Sequence, residues 1–280
     1  MGRLTEYTRD GLRFDVTDVG PEDGPLVVLL HGFPGDRTSW REVLPGLIAA
    51  GVRCVVPDQR GYSPRARPAG RAPYRGRELV ADVTALLDAL GAERAHVVGH
   101  DWGGAVAWQL ATTAPERVAS LTVLSTPHPA ALTRAMTRSR QPLRSLYMGL
   151  FQVPVLPELV LRRLLAPMLR STGLPDPWAR EYAARMAAPG ALTGALAWYR
   201  ALVVPGRGRR RPRTSGSRSV TVPTVYLWGS RDTALGRWAA EATADHVTGP
   251  YRFLEVDESH WLPETAPRLV TETVLEAVRG

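Results

Sequence analysis

The sequence predicts an α/β fold, with a mostly parallel, doubly wound sheet and one helical insertion. Short apolar runs alternate with amphipathic stretches along most of the 280 residues, which is the pattern of strands joined by crossover helices. Runs such as Leu26–Leu30 are apolar at every position, which indicates strands buried on both faces. Between about residues 127 and 219 the alternation stops, and short helical stretches rich in Leu, Ala, Arg and Pro follow one another.

Strands and helices alternate from the N-terminus onward. A hairpin turns at Asp10-Gly11, a dipeptide that favours the positive φ angles of tight turns. Gly51 and Gly91 end the first two helices, because glycine readily adopts the left-handed conformation that follows a helix. The predicted strands are 4–7, 12–16, 26–30, 52–56, 95–99, 121–124, 224–228 and 251–256, and the predicted helices of the core include 40–50, 77–90 and 105–114.

These patterns predict two regions, a core that contains the sheet and a lid. The core comprises residues 1–126 and 220–280, and the lid comprises residues 127–219, inserted between two strands. A chain of this length buries a large apolar core. A helical lid over a sheet shapes the substrate cavity and excludes water from it.

The positive charge is concentrated in one stretch. The chain has 35 basic residues, all of them arginine, and 27 acidic ones, which gives a net charge of +8. The excess lies in Gly206–Ser219, which is also rich in Gly, Ser and Pro. Such a stretch suits a nucleic acid or an anionic membrane, but no aromatic residues interleave with these arginines. We therefore predict a solvated loop and no nucleic-acid partner.

Composition also sets the expected location of the protein. The single Cys54 lies in an apolar run, so no disulfide framework is expected. The N-terminal residues lack the apolar segment of a signal peptide, and the longest early apolar run is far shorter than a bilayer-spanning helix. These features predict a cytoplasmic protein with no membrane span. They leave the oligomeric state open, a homodimer included.

The most informative motif is Gly99-His100-Asp101-Trp102-Gly103-Gly104, which lies between a predicted strand and a predicted helix. Its small residues allow a sharp turn that exposes the central side chain at the edge of the sheet. Serine is usual at the centre of such a turn, whereas this sequence has Asp101. A carboxylate nucleophile forms an alkyl ester with its substrate. The motif therefore indicates opening of a strained ether or displacement of a halide at carbon.

Hydrolysis of such an ester requires a general base and an acid that orients it. His260 follows the last predicted strand, at the edge of the sheet where a base is needed. Asp232 follows the preceding strand, and the chain order of nucleophile, acid and histidine suits this arrangement. Asp257 and Glu258 are too near His260 in the sequence to turn back on its ring. The sequence thus predicts a triad of Asp101, Asp232 and His260.

An oxyanion site is predicted from two backbone amides. His31-Gly32-Phe33-Pro34 directly follows a strand, so that the Phe33 N–H can face the Trp102 N–H. The oxyanion forms on the side-chain carbon of Asp101 when water attacks the ester. We interpret His31 as a brace for this loop rather than as a second base.

Together these motifs resemble those of an epoxide hydrolase of the α/β-hydrolase superfamily. The resemblance extends over nearly the full length of the chain. It implies the α/β-hydrolase fold, a reaction without a metal or organic cofactor, and a cis peptide bond between Phe33 and Pro34. The matching motifs are His31–Pro34, Asp58–Ser63, Gly99–Gly104, Trp228–Asp232 and Ser259–Trp261.

The resemblance also implies a role for two lid tyrosines. Epoxide hydrolases of this type hydrogen-bond the epoxide oxygen through two tyrosines, and Tyr147 and Tyr199 match their motifs. A phenol stays neutral at pH 7 and donates a strong hydrogen bond to the alkoxide that forms when the ring opens. An apolar pocket is expected, which predicts a hydrophobic epoxide as substrate. Its predicted substrate-binding residues are Met148, Phe151, Trp198, Trp261 and Leu262, beside Phe33 and Trp102.

Other functions remain open at this point. A haloalkane dehalogenase uses the same aspartate but needs a second halide donor, and here Phe33 follows His31-Gly32 where such a donor is expected. The indole of Trp178 or Trp198 would have to serve instead. A catalytically silent ligand-binding protein of this fold is disfavoured by the intact nucleophile, acid and base. An arginine-mediated nucleic-acid binder would show a steep salt dependence.

Overall fold

The computed structural model describes residues 2–203 and 219–280. Within these residues eight strands form one sheet, in the order β1-β2-β4-β3-β5-β6-β7-β8. Pairs β1–β2 and β2–β4 are antiparallel, and the other pairs are parallel. The predicted mostly parallel α/β fold is thus confirmed. The strands are β1 (Glu6–Arg9), β2 (Leu12–Val19), β3 (Leu26–Leu30), β4 (Arg53–Pro57), β5 (Ala95–His100), β6 (Val118–Leu124), β7 (Thr224–Gly229) and β8 (Tyr251–Val256).

Helices connect most of the parallel strands. Short 3-10 helices are present at Arg37–Trp40, Ala72–Tyr74, Pro115–Arg117 and Ala242–His246. The α-helices are α1 (Leu44–Ala49), α2 (Gly76–Ala89), α3 (Trp102–Thr113), α4 (Pro129–Arg138), α5 (Gln141–Arg144), α6 (Leu146–Leu150), α7 (Leu156–Ser171), α8 (Asp176–Met186), α9 (Ala191–Ala201), α10 (Arg237–Glu241), α11 (Leu262–Thr265) and α12 (Pro267–Arg279).

Apolar clusters cover both faces of the sheet. In β3, Val28 and Leu30 belong to the cluster that includes α2 and α3, whereas Val27 and Leu29 belong to the cluster with α1 and α12. Successive side chains of a strand point to opposite faces, so both faces of this strand are buried. This burial explains why the run is apolar at every position.

The structure corrects several predicted boundaries. Two shorter helices replace the single helix expected over 40–50. Asp36 caps a 3-10 helix at Arg37–Trp40, and α1 begins only at Leu44. β2 extends to Val19, because its second half pairs with β4. The hairpin turn lies at Asp10-Gly11 as predicted, and both residues have positive φ angles.

Helices α4–α9 lie between β6 and β7 in the chain, and they contact the loops at the carboxyl ends of the parallel strands. The Trp261 indole N–H, after β8, donates to Thr172 Oγ1, just past α7, at 3.0 Å. The Trp198 indole N–H on α9 donates to the carbonyl of Arg60 at 2.7 Å. Helices α4–α9 therefore cover the edge of the sheet where the predicted site residues lie.

Most of the arginine-rich stretch Gly206–Ser219 lies outside the described residues, so its interpretation as a solvated loop stays a prediction. Among the helices that the structure does describe, none combines the length and the apolar character needed to cross a membrane.

Candidate active site

Four loops at the carboxyl edge of the sheet form the site. His31–Pro34 follows β3, Asp101 follows β5, Asp232 follows β7 and His260 follows β8. These strands run parallel, so their carboxyl ends lie at the same edge. Side chains that are up to 229 positions apart in the sequence therefore meet.

The turn at Asp101 is sharp and strained. Asp101 has φ +50° and ψ −120°, a backbone conformation that residues with a side chain rarely adopt. Glycines allow the close approach around it, because a methyl group at Gly103 would lie 2.2 Å from the carbonyl oxygen of Leu30. At Gly99 it would lie 2.5 Å from the Gly103 carbonyl oxygen. The turn thus holds the Asp101 side chain at the start of α3.

The loop after β3 contacts the Asp101 carboxylate directly. The Phe33 N–H donates to Asp101 Oδ1 at 2.8 Å. A methyl group at Gly32 would lie 2.3 Å from Asp101 Cβ, so only glycine permits this approach. Trp102 is the first residue of α3, and the first N–H groups of a helix have no partner within the helix. The peptide bond between Phe33 and Pro34 is cis, as expected.

His260 lies between the two carboxylates of the predicted triad. Its Nδ1 is 2.7 Å from Asp232 Oδ2, and its Nε2 is 3.5 Å from Asp101 Oδ2. Asp232 is itself held in place, because its Oδ1 accepts hydrogen bonds from the N–H groups of Ala234 and Leu235 at 2.7 and 2.9 Å. All three side chains that the sequence predicts as a triad are therefore brought together.

The charges of the triad stabilise one another. Burial disfavours the charged form of His260, but the carboxylates of Asp232 and Asp101 outweigh it and raise the pKa of His260 well above 6.5. Burial likewise disfavours the Asp101 carboxylate, but His260 and the Phe33 N–H lower the pKa of Asp101 below its usual value. The free site therefore holds a carboxylate beside an imidazolium.

Two further polar groups fix the backbone of His260. The His100 Nε2 lies 2.8 Å from the carbonyl oxygen of His260, and the Ser125 hydroxyl donates to the same oxygen at 2.7 Å. Burial lowers the pKa of His100 to about 4, so this ring is neutral and donates from Nε2. No sequence motif indicates a role for Ser125, and its position directly after β6 is the only signal that points to it.

His31 braces its loop, in agreement with the sequence interpretation. Its Nε2 accepts from the N–H of Gln59 at 3.1 Å, and its Nδ1 lies 3.1 Å from the carbonyl oxygen of Gly32. Burial lowers the pKa of His31 to about 4. The ring is therefore neutral and fully engaged by backbone groups.

Tyr147 on α6 and Tyr199 on α9 line the same cavities as Asp101. Their rings are 6.0 Å apart, and the Tyr199 ring packs edge-on against Trp102 at 5.0 Å and against Phe33 at 5.4 Å. Burial, with the Asp101 carboxylate adding to it, raises the pKa of both phenols above 10. Both side chains therefore remain protonated donors at neutral pH.

Two cavities, of about 300 and 200 Å³, meet at the nucleophile. Asp101, Tyr147 and Tyr199 line both of them. Met148 lines the larger cavity, and Phe151, Trp261 and His260 line the smaller one. Apart from these polar groups the walls are mostly apolar. No cluster of His, Cys, Asp and Glu within residues 2–203 and 219–280 is arranged to hold a metal ion.

Two predicted substrate-binding residues do not reach these cavities. Trp198 lies against Trp102 and donates its indole N–H to the Arg60 carbonyl. Leu262 is completely buried in the cluster formed with α1 and α12, on the other face of the sheet. The structure therefore places both residues in the packing around the site rather than in its walls.

The structure also contains a buried polar cluster that no sequence motif indicates. The Tyr182 hydroxyl on α8 lies 2.5 Å from Glu264 Oε1 and 2.9 Å from Ser39 Oγ. Glu264 belongs to α11, four residues after His260. Tyr182 thus makes a buried polar contact between α8 and α11.

The family model described as alpha/beta hydrolase fold matches residues 25–267. This chain belongs to the α/β-hydrolase family. The AB hydrolase superfamily protein YfhM of Bacillus subtilis (strain 168) is 37% identical over 97% of this chain and 96% of its own length. Epoxide hydrolase A of Mycobacterium tuberculosis (strain H37Rv) is 33% identical over 100% of this chain and 99% of its own length.

Solved structures agree with this family. The crystal structure of epoxide hydrolase A from Mycobacterium thermoresistibile matches this α/β-hydrolase with a TM-score of 0.81 at 30% identity, covering 98% of this chain and 97% of that one. The resemblance to epoxide hydrolases that the motifs indicated is thus confirmed, and with it the prediction that the chain is a hydrolase.

Proposed function

We propose that this α/β-hydrolase converts a hydrophobic epoxide into a vicinal diol through an ester on Asp101. The observation that supports this most strongly is that Asp101, Tyr147 and Tyr199 line both cavities. A nucleophile on one side of a bound epoxide and two phenols on the other suit attack at carbon with stabilisation of the leaving oxygen. The mostly apolar walls favour a hydrophobic substrate.

In the first step Asp101 attacks one epoxide carbon, and the bond from that carbon to oxygen breaks. Oδ1 accepts the Phe33 N–H, which leaves Oδ2 as the attacking oxygen. Tyr147 and Tyr199 donate to the epoxide oxygen, which becomes a hydroxyl group. One of these tyrosines transfers its proton to the oxygen and is reprotonated from solvent. His260 releases a proton to solvent, because its pKa falls once the negative charge of Asp101 is lost.

In the second step water hydrolyses the ester. His260, oriented by Asp232, removes a proton from water, and the resulting hydroxide attacks the side-chain carbon of Asp101. The Phe33 and Trp102 N–H groups stabilise the oxyanion. The diol leaves with one oxygen from Asp101, and the carboxylate and the imidazolium are restored. No step requires a metal or an organic cofactor.

Helices α4–α9 serve as the lid in this proposal, within the predicted division into a core of 1–126 and 220–280 and a lid of 127–219. Tyr147 and Tyr199 both belong to these helices. The lid thus supplies the two proton donors, and the core supplies the nucleophile, base and acid.

The principal alternative is a haloalkane dehalogenase, which needs a second donor for the halide. The Trp198 indole N–H is already bonded to the Arg60 carbonyl. Trp178 packs beneath the guanidinium of Arg41 and lines neither cavity. Phenols suit an alkoxide, which takes up a proton, better than a halide, which does not. These contacts favour epoxide over halide.

A single turnover with enzyme in excess, in heavy-oxygen water, tests the proposal. We expect diol that contains no solvent oxygen, and we expect the label in the Asp101 carboxylate of the recovered peptide. Aryl, alkyl and fatty epoxides should be compared with chloroalkanes. Solvent oxygen in the first-turnover diol would show direct attack by water, and turnover of chloroalkanes alone would favour the dehalogenase.

A further inference from the structure

The outer surface of α4–α7 and the end of α9 is unusually apolar. In the part of the chain that the structure describes, every well-exposed large apolar side chain lies between Met136 and Val203. The larger core exposes none to a similar extent within its described residues. Soluble proteins rarely expose a large continuous apolar patch unless something binds there. We call the exposed apolar and arginine side chains of residues 134–203 the lid surface.

Hydrogen bonds hold the parts of the lid surface together. The Arg200 guanidinium on α9 donates to the carbonyl oxygens of Phe151 and Val153, each at 2.9 Å. It also pairs with Glu158 on α7 at 2.6 Å. The exposed loop between α6 and α7 is thereby fixed beside the end of α9, where Leu202 is exposed. The exposed apolar side chains of this loop and of the end of α9 therefore lie on the same part of the surface.

Positive charge accompanies these apolar residues. Residues 127–203 contain ten arginines and three acidic residues, a net charge of +7, whereas residues 1–126 and 219–280 together have a net charge of −5. On α7, Leu161, Leu165 and Leu169 are buried, so Leu159 and Arg163, four positions apart, share the outward face. Among the described residues, no carboxylate pairs with Arg138, Arg140, Arg162 or Arg163. 

The larger cavity opens on this surface. Met136 and Leu202 line the cavity that contains Asp101, and they are 40% and 57% exposed. Two exposed apolar side chains therefore border the entrance to the nucleophile. A hydrophobic molecule that reaches this entrance from an apolar phase avoids passing through water.

We propose that the lid surface binds the face of an anionic lipid bilayer, with the cavity entrance turned toward the lipid. Interleaved apolar and arginine side chains match such an interface, where apolar groups enter the lipid boundary and arginines meet anionic headgroups. A second copy of the chain fits less well, because a two-fold interface places the same positively charged surface of both copies together. Entry of the epoxide from the bilayer rests on the proposed function; binding of the bilayer does not.

Sedimentation with vesicles tests this surface. The protein should bind vesicles of phosphatidylcholine mixed with phosphatidylglycerol much more tightly than vesicles of phosphatidylcholine alone, and salt should weaken the binding. Arg162→Gln with Arg163→Gln should lower the partition coefficient roughly 25-fold, about fivefold for each arginine near an anionic surface. Leu159→Gln with Leu164→Gln should lower it on the order of tenfold, because less apolar area enters the lipid.

The matched control is Arg268→Gln with Arg279→Gln, which removes the same charge from exposed positions of the core and should leave binding unchanged. Equal binding to both kinds of vesicle, or none to either, would overturn the proposal. So would a dimer in sedimentation velocity that Leu159→Gln with Leu164→Gln dissociates, because a second copy would then cover the lid surface. Vesicle binding does not require catalysis, so Asp101→Asn should bind vesicles as the wild type does. A wild type that binds vesicles but does not convert epoxides would therefore reject only the proposed function.

Discussion

At the scale of single residues, the Asp101 carboxylate contributes, together with Asp232, to the raised pKa of His260. The two carboxylates beside His260 keep its ring protonated, and a protonated ring is not a base. In the proposed mechanism, ester formation removes the negative charge of Asp101, so that one of the two groups that stabilise the imidazolium disappears. The pKa of His260 then falls. In this mechanism, formation of the ester therefore favours the neutral form of His260, which is the base that ester hydrolysis requires.

His260→Gln should separate the two chemical steps. Asp101 remains able to attack the epoxide, but ester hydrolysis should slow by about 10²- to 10⁴-fold because no base activates water. Mass spectrometry of the intact protein should then show the mass of the enzyme plus one substrate. Asp101→Asn is the control and should gain no mass. Rapid steady-state diol formation by His260→Gln would contradict the assigned role.

In the proposed mechanism, Tyr147 and Tyr199 should contribute to ester formation and not to its hydrolysis. Tyr147→Phe or Tyr199→Phe alone should slow ester formation by about 10- to 100-fold, because one donor remains, and the double variant by about 10⁴-fold. Rapid-quench measurement of ester formation gives these rates. Tyr251→Phe on β8, away from both cavities, is the matched control and should match wild type. Near-normal ester formation by the double variant would remove the tyrosines from the mechanism.

At the scale of elements, sequence motifs predict which loops meet, but not which side of a helix faces the site. The strand-to-loop positions of Asp101, Asp232 and His260 follow from the order of parallel strands, and the structure has them there. Trp198 and Tyr199 are adjacent on α9, so they point about 100° apart, and only Tyr199 faces the cavity. That rotation depends on packing between distant helices, which no local pattern encodes.

The loop after β3 and the turn after β5 approach each other only because residue 32 is glycine. Gly32→Ala places a methyl group within 2.3 Å of Asp101 Cβ, so the loop must move and the 2.8 Å bond from the Phe33 N–H must lengthen. We expect kcat/KM to fall by about 10²- to 10³-fold, the usual cost of losing an oxyanion donor. Gly149→Ala is the control, because its methyl group would meet no atom within 4 Å. Equal kinetics and equal Tm values for both variants would contradict this account.

At the scale of the whole molecule, buried polar contacts join the helices between β6 and β7 to the rest of the fold. Tyr182 and Glu264 are 82 positions apart, and their contact at 2.5 Å lies between α8 and α11. Local patterns show Glu264 only as a polar residue in a short helix. A buried carboxylate depends on its partners for stability, and those partners come from elsewhere in the chain. The α/β order was therefore predictable from the sequence, whereas this contact between the two regions was not.

Glu264 should make the stability of the protein depend on pH. Burial, opposed by the hydrogen bond from Tyr182, raises the pKa of Glu264 from 4.5 to about 7. Between these values the folded state holds a proton that the unfolded state has released. The free energy of unfolding should therefore fall as pH rises through this window, by about 3 kcal/mol in total. Glu264→Gln carries no titrating proton, so its free energy of unfolding should change less over the same range.

Urea denaturation at a series of pH values from about 4 to about 8 measures this difference. Burial also raises the pKa of Asp58, to about 6, so Asp58→Asn is the matched variant and should remove only the part of the slope below about pH 6. The raised pKa of His260 also makes the free energy of unfolding fall as pH rises above 6.5, and it does so in both variants. The difference between wild type and Glu264→Gln should thus grow up to about pH 7 and then stay constant. A difference that does not change with pH would show that Glu264 is charged in the folded protein throughout, and that Tyr182 compensates for its burial.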